Sequence, residues 1–149
     1  MSSFLGTETY AIDHKGRVAI PAAMRRGERG KKPIGTFVLA EGFEGCLALY
    51  SEEEWTRVDQ RLRRLPMGGR SGRAFQRAFL LDVVKVSVDA QGRITIPPAL
   101  MSRAGLGKEA VLHGVLNRIE IWNPERFAAE IKLGRDQLDA LAAEVLGEE

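Results

Sequence analysis

A twelve-residue stretch near the N-terminus recurs in the second half of the chain and constrains the fold more than any other feature. Residues 13–24 read DHKGRVAIPAAM, and residues 89–100 read DAQGRITIPPAL. Six of the twelve aligned positions are identical, at an offset of 76 residues. Because self-similarity of this kind marks a structural unit that is used more than once, we expect two copies of one supersecondary motif.

Each copy begins with residues suited to a tight turn. Asp13 and Asp89 can accept hydrogen bonds from nearby backbone N–H groups, and Gly16 and Gly92, three residues later, can adopt a positive φ. We therefore predict that these four residues are structural parts of two equivalent turns.

The residues after each glycine alternate between apolar and polar positions, which predicts a short, half-buried strand. In the first copy, Val18 and Ile20 point to one side and Arg17 to the other. Pro21 ends the strand because proline has no N–H to donate to a ladder. The second copy repeats this pattern, so each strand should carry one arginine, Arg17 or Arg93, beside a turn and away from the core.

A second match extends the repeat unit. Residues 47–51 (LALYS) align with residues 119–123 (IEIWN) at an offset of 72, and the change in offset falls in the loop around residues 27–35, where length varies at little cost. A unit this small cannot close its own core well, so the two copies are expected to share one. We divide the chain into a first unit at 7–54, a helix and linker at 55–82, a second unit at 83–126 and a C-terminal helical tail at 127–149.

Two helices are indicated by their caps and apolar spacing. Ser51 with Glu54 forms a capping box before an apolar stripe from Trp55 to Leu65. In the tail, apolar residues between 138 and 145 recur at helical spacing, which predicts an amphipathic helix with an acidic exposed side.

Charge is unevenly distributed along a chain whose net charge is only +2. Residues 14–32 contain seven Lys or Arg and one Glu, and residues 57–77 contain seven Arg and one Asp, so each segment has a net charge of +6. Residues 120–149 contain three basic and eight acidic groups, a net charge of −5. Clustered basic charge favours a polyanionic partner. For residues 57–77, a solvated helix surface is the simpler interpretation.

The remaining composition predicts a folded cytoplasmic protein. No apolar run approaches the length of a membrane span, and the N-terminus lacks the pattern of a signal peptide. The single cysteine, Cys46, cannot form an internal disulfide.

An enzyme is the competing functional class, but its usual signatures are missing. The sequence has no HExxH, CxxC or GxSxG pattern. The acidic run Glu52–Glu54 lies at a predicted helix start, which attracts carboxylates through the helix dipole. We therefore expect no catalytic residue, no metal site, no cofactor and no small-molecule substrate.

The two Asp-x-x-Gly-Arg-x-x-Ile-Pro stretches, at 13–21 and 89–97, resemble the AbrB/SpoVT-type swapped-hairpin DNA-binding domain. Two copies in one chain, with Glu120-Ile121-Trp122 closing the second, resemble the MraZ family of bacterial transcriptional regulators. The resemblance spans roughly residues 7–127. It implies a mainly β fold with helices (α+β), in which two tandem swapped-hairpin units form one pseudo-dimeric β-barrel with flanking helices.

The same resemblance implies a function. It predicts a sequence-specific regulator, expected to be a repressor of the cell-division and cell-wall gene cluster, that binds short tandem repeats in double-stranded DNA upstream of its own operon. It also predicts ring-shaped homo-oligomers associated with the nucleoid. The alternative is an AbrB-like antitoxin or another protein-binding oligomeric module, which would use an extended tail.

The resemblance also assigns the site. Asp13 with Arg17, and Asp89 with Arg93, fall on the family's Asp-x-x-x-Arg signature. The second half has Met101 at the place that corresponds to Arg25, so the first half is expected to contribute more. From the residues alone, each signature arginine is equally suited to pairing with the aspartate four positions earlier. The expected DNA-contacting residues are Lys15, Arg17, Arg25, Arg26 and Arg93.

Overall fold

The computed structural model describes residues 3–26 and 32–147, and within them both halves contain the same succession of elements. Residues 27–31, part of the predicted basic run and loop, lie outside the described residues. The first half comprises β1 (Thr7–Ala11), β2 (Arg17–Ala19), α1 (Ala22–Arg25), β3 (Thr36–Glu41), β4 (Leu47–Ser51) and α2 (Glu52–Arg63). Helix α3 (Arg70–Leu80) connects it to β5 (Val84–Ser87), β6 (Arg93–Thr95), α4 (Pro98–Arg103), β7 (Glu109–Gly114), β8 (Ile119–Trp122), α5 (Pro124–Asp136) and α6 (Leu138–Leu146).

Six strands form one antiparallel sheet in which the halves exchange edge strands. The order across the sheet is β1-β7-β8-β4-β3-β5. β1 of the first half pairs with β7 of the second, with Thr7 opposite His113. β5 of the second half pairs with β3 of the first, with Thr36 opposite Ser87. Neither half therefore has a complete sheet without the other.

The two repeat strands form a separate antiparallel ribbon, β2–β6. At its centre Val18 lies opposite Ile94, and both side chains are buried. Because side chains alternate across a strand, the repeat arginines lie on the opposite side of the ribbon. The alternation predicted from the repeat is confirmed.

The fold is α+β, with an antiparallel sheet and six helices among the described residues, as expected. The barrel implied by the resemblance is not found as a closed sheet within residues 3–26 and 32–147, where the sheet begins at β1 and ends at β5. The strands of the ribbon pair with each other. An isolated β-bridge joins Val18 of the ribbon to Ile12, the residue that follows β1. No continuous ladder therefore connects the two edges in the described part of the chain.

One hydrophobic core contains side chains from both halves, which confirms the predicted shared core. The ribbon contributes Val18 and Ile94, and the sheet contributes Leu39, Leu112 and Ile121, all fully buried. Burying one such side chain is worth about 1.5–3 kcal/mol. Separating the halves would therefore expose residues that stabilise both.

The helices that close the two units begin at side-chain caps, the predicted Ser51 for α2 and Asn123 for α5. Ser51 Oγ accepts a hydrogen bond from the N–H of Glu54 at 3.2 Å. Asn123 Oδ1 accepts hydrogen bonds from the N–H groups of Glu125 and Arg126, at 2.8 and 3.1 Å. These bonds satisfy donors that the start of a helix leaves without intrahelical partners. The tail that follows is helical throughout α5 and α6.

Candidate nucleic-acid interface

The first turn is held together by the carboxylate of Asp13. Its Oδ1 accepts hydrogen bonds from the N–H groups of Lys15 and Arg17, both at 2.9 Å, and its Oδ2 accepts one from Arg17 Nε at 2.6 Å. The N–H of Gly16 donates to the Asp13 carbonyl at 3.0 Å, and Gly16 has a φ of +78°. The turn therefore fixes the direction of the Arg17 side chain through its Nε.

The second turn has the same construction around Asp89. Its Oδ1 accepts hydrogen bonds from the N–H groups of Gln91 and Arg93 at 2.8 and 3.0 Å, and its Oδ2 accepts one from Arg93 Nε at 3.1 Å. Gly92 also has a φ of +78°. Arg93 Nη2 donates to Gln91 Oε1 as well. The sequence did not predict this contact of Gln91 with Arg93. The only indication in the sequence was that Gln91 aligns with Lys15 in the repeat.

The ribbon brings both arginines to one surface, which we call the arginine face and define as Arg17, Ala19, Arg93 and Thr95. Arg17 lies opposite Thr95, and Arg93 lies opposite Ala19. Residues paired across two strands project to the same side, so the arginines occupy diagonal positions on this face. Their side chains are 29% and 28% exposed, so both can be reached from solvent.

Asp13 also contacts the second half, and this contact makes the two arginines unequal. Arg93 Nη1 lies 3.7 Å from Asp13 Oδ2, in addition to its bonds with Asp89 and Gln91. Among the described residues, no matching ion pair joins Arg17 to Asp89, and Arg17 Nη1 and Nη2 have no hydrogen-bond partner. The pairing of each arginine with its own aspartate is thus present, but it occupies Nε and leaves the terminal nitrogens of Arg17 available.

The hydrogen bonds of the two turns lower the pKa of both aspartates. At Asp13 the largest cause is donation from the backbone N–H of Arg17, with further donation from the Arg17 side chain and the Lys15 N–H, and the pKa falls from 3.8 to about 2. At Asp89 donation from the backbone N–H of Arg93 is the largest cause. Both turns therefore favour the charged carboxylate.

We expect acid to weaken the first turn between about pH 4 and pH 2. The pKa of Asp13 is lower in the folded state than in the unfolded one, so its stabilisation is present above 3.8 and is lost as the pH falls through about 2. NMR titration of the Asp13 carboxyl carbon should give a midpoint near 2. The unfolding free energy of Asp13→Asn should change less across this window than that of the wild type. An Asp13 midpoint at 3.8 would contradict the network described here.

Each turn docks onto the strand end of the opposite half. The Ile20 N–H donates to the Gly92 carbonyl at 2.8 Å, and the Ile96 N–H donates to the Gly16 carbonyl at 2.9 Å. A side-chain carbon on Gly16 would lie 2.9 Å from the Ile96 carbonyl oxygen. Glycine is therefore required at this position by the backbone conformation and by a close approach between the halves.

A pair of glycine substitutions tests this requirement. Gly16→Ala should destabilise the protein, because a side chain at positive φ costs about 1–2 kcal/mol and the contact with Ile96 adds to that cost. Gly134→Ala, in helix α5 with no neighbour within 4 Å, should instead stabilise it by about 0.5–1 kcal/mol. Chemical denaturation measures both changes, and effects of the same sign would show that the turn has no special constraint.

Arg25 lies between the two halves. Its Nε donates to the Ile20 carbonyl at 2.9 Å, and its guanidinium lies 3.0 Å from the position that a side-chain carbon on Gly92 would occupy. Met101, at the corresponding place in the second half, lies beside the first turn in an open groove of about 570 Å³. Arg25 thus packs on the second turn near Arg93, and its contact with DNA stays a prediction.

The remaining two predicted DNA-contacting residues, Lys15 and Arg26, are both exposed. Lys15 is exposed in the first turn and lines the same groove as Met101. Arg26 is exposed and follows Arg25 at the end of α1. The structure therefore gathers Arg17, Arg25 and Arg93 around the two turns, with Lys15 in the first turn and Arg26 next to Arg25 in the chain.

Two chemically reactive side chains have structural roles. Cys46 is buried, its thiol donates to the Phe43 carbonyl at 3.2 Å, and burial raises its pKa to about 12, so it is a poor nucleophile at neutral pH. His113 Nδ1 lies 2.7 Å from Thr7 Oγ1, and its ring packs edge-on against Phe127. Within residues 3–26 and 32–147, no group of three or more His, Cys, Asp or Glu could hold a metal ion.

None of the helices in residues 3–26 and 32–147 has both the length and the apolar character needed to span a bilayer.

The chain matches the model of one protein family twice in succession. The model, described as "MraZ protein, putative antitoxin-like", matches residues 3–78 and 79–144. A protein of Thermomicrobium roseum named transcriptional regulator MraZ is 42% identical over 130 residues, which cover 87% of this chain and 88% of that protein. A protein of the same name from Alkaliphilus oremlandii is 39% identical over 95% of this chain and 98% of its own length. One from Caldanaerobacter subterraneus is 43% identical, with 81% of each chain covered.

Proposed function

The chain belongs to the MraZ family, and from this premise we propose that it is a sequence-specific DNA-binding transcriptional regulator. The observation that carries the proposal is the arginine face, where Arg17 and Arg93 lie diagonally on an exposed ribbon and each is oriented by its own aspartate. The relatives named transcriptional regulators support it.

A two-stranded ribbon that carries arginines on its exposed side suits the major groove. This groove admits a two-stranded β-ribbon, and an arginine there can donate two hydrogen bonds to guanine O6 and N7. Asp13 holds Arg17 through Nε, so Nη1 and Nη2 can point away from the turn. We propose that Arg17 reads a base in this way and that Arg93, which has more partners within the chain, contributes less.

The other basic residues are assigned to the DNA backbone. Lys15, Arg25 and Arg26 lie in or beside the turns, where phosphate contacts would set the position of the ribbon without reading sequence. Asp13 and Asp89 are assigned structural roles, because a carboxylate facing phosphate is repelled.

The finer parts of the function follow from the family resemblance. We propose that the protein is a cytoplasmic, nucleoid-associated repressor of the cell-division and cell-wall gene cluster. It would bind short tandem repeats upstream of its own operon as a ring-shaped homo-oligomer. The exchange of β1 and β5 supports the further proposal that the two units form a swapped-hairpin pseudo-dimer.

Binding should weaken steeply as salt is added. Each phosphate that the protein neutralises contributes a slope of about −0.9 to log K against log salt concentration. If Lys15 and Arg26 each contact one phosphate, Lys15→Ala and Arg26→Ala should each reduce the steepness by about 0.9 per subunit engaged. Fluorescence anisotropy across a salt series measures the slopes. A wild-type slope near zero would exclude binding dominated by phosphate contacts.

Footprinting of the purified protein on DNA from upstream of its own operon tests the proposal most directly. Protection of evenly spaced sites is expected. Uniform protection, or none at concentrations that saturate other regulators of this kind, would contradict sequence-specific binding.

The alternative, an antitoxin or protein-binding module, depends on an extended tail that orders on a partner. The helices α5 and α6 make such a tail a weaker interpretation, since the segment is already folded through Leu146. Limited proteolysis distinguishes the two: immediate loss of residues after 124 would favour the antitoxin, whereas resistance favours a tail used in subunit packing.

A further inference from the structure

The two turns differ in what holds the end of each arginine side chain. Arg93 donates from Nε to Asp89 and from Nη2 to the side-chain oxygen of Gln91. Its Nη1 lies 3.7 Å from Asp13 Oδ2, which is beyond hydrogen-bonding distance. Arg17 donates from Nε to Asp13, and in the described part of the chain its two terminal nitrogens have no hydrogen-bond partner. The contact with Gln91 therefore restrains the end of one guanidinium, whereas the end of the other is unrestrained.

The residue at the third position of each turn explains this difference. Gln91 occupies the place that Lys15 has in the first copy of the repeat. The amide oxygen of a glutamine accepts a hydrogen bond from a guanidinium, whereas the ammonium group of a lysine has three donors and no acceptor. Lys15 therefore cannot hold Arg17 in the way that Gln91 holds Arg93.

The same contact limits what Gln91 itself can read. An arginine side chain has only donors, so the atom of Gln91 that faces Arg93 must be the amide oxygen Oε1. A glutamine that reads adenine uses both its oxygen and its NH2 group. With Oε1 directed at Arg93, Gln91 does not present that pair of groups to a base. Its influence on DNA binding should therefore pass through the arginine.

We propose that Gln91 is a specificity-determining residue that makes the two halves unequal readers of DNA. It acts as a positioning residue, because DNA must compete with Gln91 for the Nη2 donors of Arg93, while the terminal donors of Arg17 meet no such competitor. The inference rests on the proposed function and deepens it.

The symmetry of the ribbon gives this inequality a consequence for the DNA site. Antiparallel pairing about Val18 and Ile94 relates the two arginines by a local twofold axis. Two equal arginines on such an axis would suit a palindromic site, since the symmetry of a site mirrors that of its protein. The restraint of Arg93 by Gln91 breaks the symmetry, so the site has a direction, as repeats arranged in tandem require.

A double-mutant cycle between Gln91 and Arg93 tests the proposal. Gln91→Met keeps an unbranched side chain of similar length but replaces the amide by a weak acceptor. Gln91 is exposed, so this variant should keep the wild-type free energy of unfolding. Removal of the competing hydrogen bond should tighten binding to a duplex with one repeat by about 2–10-fold. Arg93→Ala should abolish this gain, so its effect should be larger by the same factor in Gln91→Met than in the wild type. Fluorescence anisotropy measures all four affinities.

Matched variants separate the acceptor from the other properties of these side chains. Gln91→Glu keeps an oxygen that accepts from Arg93, so the loss caused by Arg93→Ala should stay as small as in the wild type, whatever the added charge does to the overall affinity. The reciprocal change Lys15→Gln supplies an acceptor in the first turn and should reduce the loss caused by Arg17→Ala. Lys15→Met removes the same charge without supplying an amide, so it should leave that loss unchanged.

A palindromic duplex tests the direction of the site. The base pairs that Arg17 contacts are those whose substitution no longer matters in Arg17→Ala. Repeating them in inverted order at the twofold-related position should increase the affinity of Gln91→Met by a larger factor than that of the wild type. Equal gains for the two proteins would contradict the proposal.

Two further outcomes would overturn the inference. One is a loss on Arg93→Ala that is the same in the wild type and in Gln91→Met. The other is weaker binding by Gln91→Met both with and without Arg93, which would assign Gln91 a direct contact with DNA. In both cases the wild type would still prefer its own repeat to a scrambled duplex, so the proposed function would stand. Failure of the wild type to distinguish these duplexes would reject the proposed function and the inference with it.

Discussion

Arg17→Ala is expected to abolish sequence-specific DNA binding while leaving the fold intact. Arg17 lies on the arginine face, and the buried Val18 points to the other side of the ribbon. Removal of the Arg17 side chain therefore exposes no core residue. The loss of a bidentate contact to a base costs about 1–3 kcal/mol. This cost recurs in every subunit that contacts DNA, so the loss of affinity for an array of sites should be larger than for one. A gel-shift titration against specific and scrambled duplexes measures it.

Arg93→Ala is the matched control, because it removes the same side chain from the equivalent position of the second half. Its guanidinium is already bonded to Asp89 and Gln91 and lies near Asp13, so we expect a smaller loss of specific affinity. Unchanged binding by Arg17→Ala would reject its role as a base-reading residue. A larger effect of Arg93→Ala would mean that the second half dominates recognition.

The spacing of DNA sites should matter as much as their sequence. Neighbouring subunits can contact one side of a duplex only if their sites recur about every helical turn, roughly 10–10.5 bp. Linked contacts raise affinity through effective concentration, by about 10²–10⁴-fold over one site. Insertion of about half a turn, roughly 5 bp, between two repeats should therefore remove most of this gain.

Insertion of a full turn, about 10 bp, is the control, because it keeps the two sites on the same side of the duplex. It should preserve more of the affinity than the half-turn insertion does, although the added length is greater. Equal affinities for both insertions would show that adjacent subunits do not read phased sites.

The local parts of the site could be predicted because they are encoded within a few residues. Asp13 and Gly16 define the turn through chemistry that acts over four positions. The alternation after Gly16 places Val18 inside and Arg17 outside. These interactions are formed by neighbours in the chain, and a second copy of the same pattern removes most of the ambiguity.

The contacts between halves could not be predicted, because they depend on register. Nothing in the sequence indicates that Arg93 lies 3.7 Å from Asp13, or that Arg25 packs on Gly92. These distances arise only once β2 pairs with β6 with Val18 opposite Ile94. The closed barrel was expected only from the family resemblance. The structure instead has the β2–β6 ribbon separate from the six-stranded sheet, and this arrangement depends on pairing between strands that are far apart in the chain.

The exchange of edge strands also sets an order of events during synthesis. Thr7 of β1 pairs with His113, which is 106 residues later in the chain. At about 5–20 residues per second, a ribosome needs about 5–20 s to make that segment. Throughout that interval the first strand of the nascent chain has unpaired N–H and C=O groups, which are a template for misplaced strand pairing. A transcript truncated before β7 would therefore yield a fragment that keeps this edge permanently and should be a substrate for proteolysis rather than a half-sized regulator.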